Sequence, residues 1–164
     1  MADDLLFVYS SPGAVALDEF TDWYDNEHVP ARLALDGFGA VNRFRATDSL
    51  TPVWLATYEV RPGTLDGAAY KAVWENASAR ERSIMSAATV DRRLYSPISD
   101  SGDTGEAPPV LMAVSMSVPE SGVADMEAWY VEEHIPMLLA VIIALAMIRI
   151  KREDMEGIDP MAAV

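Results

Sequence analysis

Residues 23–30 read WYDNEHVP, and residues 129–136 read WYVEEHIP. The two stretches lie 106 positions apart, and at this offset residues 5–48 align with residues 111–154 without a gap. Thirteen of the 44 aligned pairs are identical. Self-similarity over such a length indicates an internal duplication, so we expect two copies of one structural unit.

The first copy alternates between strand and helix signals. Asp18 is a suitable N-cap, because the aromatic residues of the repeated motif follow it at helical spacing. Pro30 removes a backbone donor, so we expect this helix to kink or end near His28. Runs bounded by Gly and Pro divide the rest into short strands and amphipathic helices. The expected elements are strands at 5–10, 40–46, 52–61 and 90–97, the helix after Asp18, and helices at 65–76 and 79–87.

This β-α-β-β-α-β order predicts an α+β fold built from ferredoxin-like units. We assign residues 1–98 to one complete unit. Residues 99–109, SDSGDTGEAPP, are polar and rich in Gly and Pro, which is typical of a linker. Residues 110–164 then hold a partial second unit, β-α-β, because only ten residues follow the aligned region. We expect this second unit to be truncated, and Ile143-Ala144 to replace the C-cap glycine pair Gly37-Phe38.

The composition limits the classes of function. Apolar residues make up 51% of the chain, which supports a packed core. The net charge of −14 repels phosphate groups, so we expect no nucleic-acid partner and no anionic membrane surface. The apolar run at 137–148 is shorter than the ~20 residues that cross a bilayer, and the acidic start MADD does not resemble a secretion signal. We expect a soluble, cytoplasmic protein.

With its repeated WY..EH(V/I)P helix, the chain resembles the EthD-like branch of the dimeric α+β barrel superfamily. Relatives in that superfamily include muconolactone isomerases, cofactor-free monooxygenases, and decarboxylase- or cyclase-like proteins of polyketide pathways. The resemblance implies two sheets packed face to face into a barrel, from two chains or from a tandem repeat. It also implies a pocket between the sheet and the helices of each unit.

The two histidines of the chain, His28 and His134, occupy equivalent positions in the two copies. Imidazole suits proton transfer near neutral pH, so His28 is our candidate general acid or base. A position near a helix C-terminus would favour its protonated form. The alternative is structural, with His28 capping the helix or packing beside Pro30. Each histidine follows a glutamate, Glu27 or Glu133, but neighbours on a helix do not face each other.

Trp23 and Tyr24 precede the histidine by one helical turn, as do Trp129 and Tyr130 in the second copy. Aromatic residues at this spacing belong to the core in most proteins. The functional alternative is an aromatic wall for a planar substrate, in which the Tyr24 hydroxyl orients the ligand. We place His134 with Trp129 and Tyr130 in the corresponding pocket of the second copy.

Arg43 lies on the predicted second strand and needs a partner if it is buried. Glu27 is our candidate for that partner, which would make a structural ion pair. Arg43 could instead bind a substrate carboxylate or phenolate, because a guanidinium forms two parallel hydrogen bonds with such groups. Tyr9 and Tyr58 are further candidates for the pocket, subject to the parity of their strands.

We expect no metal and no cofactor, since two distant histidines without cysteine make a poor metal site and no phosphate loop or nucleophile motif is present. The function predicted is that of a cofactor-independent isomerase or lyase. It would isomerise, decarboxylate, dehydrate or cyclise a small aromatic or polyketide-like molecule by acid–base catalysis at His28, with Tyr24 or Arg43 stabilising the anion. The alternatives are a non-catalytic, stress-type binding protein and an inactive truncated isoform. Because an incomplete second sheet leaves an open edge, we expect a homodimer.

Overall fold

The computed structural model describes residues 3–102, 110–141 and 147–153 of the chain. The chain divides into two compact units, Met1–Pro97 with Ile150–Val164, and Ile98–Arg149. Most of the predicted linker, residues 103–109, lies outside the described residues, as do 142–146 and 154–164. The predictions about the Ile143-Ala144 pair and about the truncated end of the second unit therefore also fall outside them.

The first unit alternates strands and helices in the predicted order. A single π-helical turn at Tyr24–His28, called the wide turn below, joins its first two helices. A short 3₁₀ turn at Thr64–Asp66 precedes the third helix. The fourth strand continues past its predicted end at residue 97. The elements are β1 Asp4–Ser11, α1 Leu17–Trp23, α2 Val29–Leu33, β2 Phe38–Arg45, β3 Trp54–Val60, α3 Ala68–Glu75, α4 Ala79–Ala87 and β4 Thr89–Ser101.

The strands of this unit form an antiparallel sheet in the order β2-β3-β1-β4. A further strand, β5, spans Met147–Glu153. In the register of the central strand, Val8 lies opposite Ala56 of β3 and Arg92 of β4. A sheet with helices packed against it confirms the predicted α+β class.

Strand alternation gives the sheet two distinct faces. Leu6, Val8 and Ser10 of β1 belong to the core under the helices, whereas Phe7 and Tyr9 point to the opposite face. The core is built mainly from aromatic and branched side chains, and each contributes about 1.5–3 kcal/mol by leaving water. Its most buried members are Phe20, Trp23, Ala56, Tyr58, Val60 and Ile84.

The repeated motif forms a helix with a widened turn in its middle. The Val29 N–H donates to the Tyr24 carbonyl, five residues back instead of four. Pro30 has no N–H, and in a regular α-helix its ring would collide with the carbonyl of residue 26. The wide turn absorbs this conflict, and the chain continues as α2 through Leu33. The helix therefore does not end near His28 as one alternative predicted. Its pitch changes there, and His28 lies in the middle of a helical segment.

The second unit repeats this helix. After a 3₁₀ turn at Glu120–Gly122, α5 Val123–Trp129, a wide turn at Tyr130–His134 and α6 Ile135–Val141 follow in order. The Ile135 N–H donates to the Tyr130 carbonyl, again five residues back. Residues 110–119 have no strand assignment, and because 110–117 match β1 at the duplication offset, the expected first strand of this unit is not formed there. None of the described helices combines the length and apolar character that spanning a membrane requires.

Substitutions at two glycines of the first unit distinguish the cost of backbone strain from the cost of a steric clash. Gly13 and Gly63 both have positive φ, at +61° and +83°. A Cβ at Gly13 would meet the carbonyl oxygen of Ala87 at 1.9 Å, whereas one at Gly63 meets nothing within 4 Å. We expect Gly63→Ala to lower the free energy of unfolding by about 1 kcal/mol and Gly13→Ala by about 2–4 kcal/mol. Urea denaturation measures both, and equal losses would contradict the close approach of α4 to the turn after β1.

Candidate functional site

The wide turn at Tyr24–His28 brings three aromatic rings into contact at tilted and edge-to-face angles. The His28 ring lies 4.8 Å from the Trp23 ring and 4.8 Å from the Tyr24 ring, centroid to centroid. In a regular α-helix only residues three or four apart share a face, so a partner five positions away would lie elsewhere. Widening the turn brings Trp23 beneath the imidazole together with Tyr24. The predicted residues Trp23, Tyr24 and His28 are thus all buried in one cluster.

Helix α4 supplies a carboxylate to this cluster. The Ser78 hydroxyl caps α4 by accepting a hydrogen bond of 3.0 Å from the Glu81 N–H. The Glu81 carboxylate then lies 3.5 Å from His28 Nδ1 and accepts a hydrogen bond of 3.2 Å from Arg32 Nη2. At 3.5 Å this contact does not qualify as a hydrogen bond, and His28 Nδ1 has no hydrogen-bond partner among the described residues, although the carboxylate is close enough to act on the imidazole electrostatically.

Burial sets the charge state of His28. Removal from water lowers its pKa to about 4, the nearby Glu81 opposes this shift, and the positive charge of Arg32 adds to it. His28 is therefore neutral at pH 7. The expected stabilisation of its protonated form by a helix C-terminus is wrong, because the helix continues through α2 and desolvation dominates.

Glu81 remains a carboxylate beside the neutral imidazole. Burial raises its pKa, but the interactions with His28 and with the charge of Arg32 outweigh burial and hold the pKa below its ordinary value. An ionised carboxylate facing Nδ1 favours the tautomer in which Nδ1 carries the hydrogen. The lone pair then lies on Nε2.

The helices and the sheet enclose a cavity of about 30 Å³ next to this cluster. The Tyr24 and Tyr58 hydroxyls share a buried hydrogen bond of 2.8 Å across the unit. Burial raises the pKa of Tyr24, and it raises that of Tyr58 still further, so both hydroxyls keep their protons at neutral pH. Lining residues that bear on the chemistry are Ser10, Trp23, Tyr24, His28, Arg32, Tyr58, Trp74 and Arg92.

Arg43 does not pair with Glu27. Its guanidinium contacts Asp25 instead and lies between the rings of Tyr24, at 4.1 Å, and Trp54, at 4.3 Å. Glu27 lies on the other side of the wide turn and accepts a hydrogen bond of 2.5 Å from Arg80 of α4. The predicted Arg43–Glu27 pair is therefore wrong, because the turn directs Asp25 towards β2 and Glu27 towards α4.

Tyr9 does not join the cavity. Its ring lies 6.3 Å from Phe7 and 4.8 Å beneath the Arg93 guanidinium, on the face of the sheet away from the helices. Its neighbour Ser10 occupies the cavity side instead. Of the two tyrosines proposed from strand parity, only Tyr58 lines the cavity.

The second copy brings the three equivalent rings together, but its tryptophan is much less buried. His134 lies 4.5 Å from the ring of Trp129 and 4.9 Å from the ring of Tyr130. Trp129 is 41% exposed, whereas the equivalent Trp23 is 1% exposed. The ring contacts are therefore a property of the helix itself, and enclosure is a property of the first unit.

Sequence reasoning missed Glu81 and Arg32. Arg32 follows His28 by four residues on the same helix, a spacing that could have identified it as a neighbour. The Ser78…Glu81 spacing marks a helix start, but nothing local indicates that α4 would bring Glu81 to His28. Within the described residues, no group of three or more His, Asp or Glu is arranged to hold a metal ion.

No protein-family model, curated protein or solved structure matches the chain. The candidate site is therefore identified from its geometry alone.

Acid titration tests the buried state of His28. The pKa in the folded protein, about 4, lies below the ordinary 6.5, so the unfolded chain binds this proton first as the pH falls. The contribution of neutral His28 to the free energy of unfolding is therefore fully present above pH 6.5 and is lost as the pH falls from 6.5 to 4. NMR of the imidazole signals should show a midpoint near pH 4 for His28.

Two variants complete this measurement. His28→Gln should flatten the dependence of unfolding free energy on pH in this window by up to about 1.4 kcal/mol per pH unit. His134→Gln serves as the control and should leave the His28 midpoint unchanged. A His28 midpoint at or above 6.5 would show that the imidazole is not buried.

Proposed function

We propose that the first unit has a ferredoxin-like fold of the EthD-like, dimeric α+β barrel type. Support comes from the β-α-β-β-α-β order and from the antiparallel strand order β2-β3-β1-β4. The same proposal makes the cavity between sheet and helices the active site. In this proposal the protein is a cofactor-independent isomerase or lyase that acts on a small aromatic or polyketide-like molecule.

One observation carries this proposal: His28 lines the cavity while its Nδ1 faces the Glu81 carboxylate at 3.5 Å. A carboxylate that orients an imidazole is a recurring arrangement for a general base, since it fixes the tautomer and stabilises the imidazolium that forms. His28 Nε2 takes the proton from a carbon next to a carbonyl group. His28 then returns that proton to a different atom of the delocalised anion, which completes an isomerisation.

The Tyr24–Tyr58 pair supplies the electrophilic side of the reaction. Both hydroxyls are protonated, buried and hydrogen-bonded to each other at 2.8 Å. One of them donates to the oxygen on which negative charge develops, and the other holds the first in place. A hydrogen bond of this kind in a site without water contributes more to an anionic transition state than to a neutral substrate.

The size of the cavity restricts how a substrate enters. A space of about 30 Å³ accepts a reacting group but not an aromatic ring, whereas ligand pockets usually measure roughly 300–1,000 Å³. Met85 of α4 also lines the cavity, and an unbranched thioether side chain adapts readily to a new neighbour. Substrate binding in this proposal displaces Met85 and opens the cavity towards α4.

A second candidate is a non-catalytic binding protein. The small cavity favours it, and so does the pKa of His28 near 4, since a general base works best when its pKa is close to the working pH. In that case the cluster of Trp23, Tyr24 and His28 is a structural core. The two candidates differ in what replacement of His28 does to turnover and to binding.

Proton exchange at carbon separates these candidates. We expect the protein to accelerate deuterium exchange next to the carbonyl of phenylacetone or benzoylacetone in heavy water, followed by NMR. His28→Gln should reduce that acceleration about 100-fold or more, because it removes the proton acceptor while it keeps the shape of the site. Binding of the ketone, measured by saturation transfer, should survive.

His134→Gln is the matched control and should exchange at the wild-type rate. A full rate in His28→Gln would make the imidazole structural. Binding of both ketones without any exchange would favour the binding protein.

We also propose that the protein forms a homodimer. Several large apolar side chains of the second unit are exposed, and such a surface favours association. They are Val110, Met112, Val114, Met116, Trp129, Val131 and Met137. Light scattering at micromolar concentration should give about twice the chain mass of 17.9 kDa. A monomer mass would contradict the proposal.

A further inference from the structure

Arg32 and Ser10 of the cavity lining each have a buried polar atom without a hydrogen-bond partner among the described residues. Arg32 is 2% exposed, and its Nη2 donates to Glu81 while its Nη1 has no hydrogen-bond partner among the described residues. Ser10 is 1% exposed, and its hydroxyl also has none there. An unmade hydrogen bond at a buried group costs about 1–3 kcal/mol, so each such group requires an explanation.

Further atoms of the lining lack a hydrogen-bond partner in the described part of the chain: His28 Nδ1, which carries the hydrogen in the tautomer that Glu81 favours, and two indole nitrogens. The indole Nε1 atoms of Trp23 and Trp74 are buried and have no acceptor in the described part of the chain. Indole and guanidinium nitrogens donate and never accept, and a serine hydroxyl can donate as well. A ligand that satisfies this lining must therefore offer acceptors. Of the common organic groups, a carboxylate offers the most acceptor sites in the least volume.

The duplication shows that the helix does not need these polar residues. At the same offset of 106 residues, Leu138 replaces Arg32 and Met116 replaces Ser10. The second copy still forms the wide turn and the ring contacts of Trp129, Tyr130 and His134. The helical framework therefore forms without Arg32, whereas Met116 lies in a segment that has no strand assignment.

We propose that this cavity is a subsite for the carboxylate group of a small organic acid, held by Arg32 and Ser10. Arg32 donates through Nη1, and Ser10 donates through its hydroxyl. Trp74 keeps the guanidinium in place from its other side, since Arg32 Cζ lies 4.5 Å from the centre of the Trp74 ring. A volume of about 30 Å³ suits a carboxylate without any movement of Met85.

This inference deepens the proposed function, on which it rests for the statement that the acid is a substrate. The substrate class then narrows from aromatic or polyketide-like molecules in general to those that carry a carboxylate close to the reacting carbon. Binding of the carboxylate itself requires no turnover. The two proposals can therefore fail separately.

The four tryptophans of the chain provide the readout. The indole N–H signals of Trp23 and Trp74 report on the cavity, and those of Trp54 and Trp129 serve as internal controls, since neither residue lines it. We expect sodium acetate, at constant ionic strength and up to about 100 mM, to shift the first two signals saturably. Acetamide has the same shape without the charge and should not shift them. No saturable shift, or an equal effect of acetamide, would overturn the carboxylate subsite and leave a cavity for water.

Variants test the two named residues. Ser10→Ala should weaken acetate binding about tenfold while it leaves the free energy of unfolding unchanged or raised, because the hydroxyl has no protein partner to lose. Ser11→Ala is the matched control. It removes the hydrogen bond of 3.1 Å from the Val53 N–H, so it should lower stability and leave acetate binding intact.

Arg32→Leu introduces the residue of the second copy and should abolish acetate binding. If this variant does not fold, the Ser10→Ala result alone decides. Unchanged acetate affinity in Ser10→Ala would overturn the role of Ser10. Acetate binding without ketone exchange would leave the subsite standing and contradict only the proposed catalysis.

Discussion

The wide turn at Tyr24–His28 is the constraint on which the rest of the site depends. Its defining contact is the hydrogen bond from the Val29 N–H to the Tyr24 carbonyl, and its cause is the proline that follows. A straight α-helix would leave Trp23 and His28 on different faces. With the extra residue in the turn, one surface of a single helix holds an indole, a phenol and an imidazole, and the sheet and α4 need only cover that surface.

Much of the fold follows from local sequence. The duplicated motif and the short runs bounded by Gly and Pro predict the α+β class and the order of the elements in the first unit. The unformed strand at 110–119 could not be predicted in the same way. Its residues repeat the apolar alternation of β1, but a strand exists only where neighbouring strands accept and donate its backbone hydrogen bonds.

The sequence predicts the part of the site that one helix carries, and it also predicts Tyr58 of β3. Trp23, Tyr24 and His28 share the motif, and the sequence identifies all three. Glu81 approaches from α4, which lies fifty residues further along the chain, and no periodicity encodes that approach. The predicted Arg43–Glu27 pair was wrong for a related reason. The wide turn changes the directions of the side chains relative to a regular helix, and the sequence pattern does not show this.

The low pKa of His28 and the donor-rich lining of the cavity belong to one electrostatic arrangement. Arg32 adds to the depression of the His28 pKa that burial causes, and Arg32 is also the donor available to an anion. An anion beside Arg32 would offset its charge and favour imidazolium formation nearby. The pKa of about 4 therefore describes the site without a ligand. In the proposed mechanism, a bound carboxylate would raise the pKa of His28 towards neutrality, which would couple binding to proton transfer through one guanidinium.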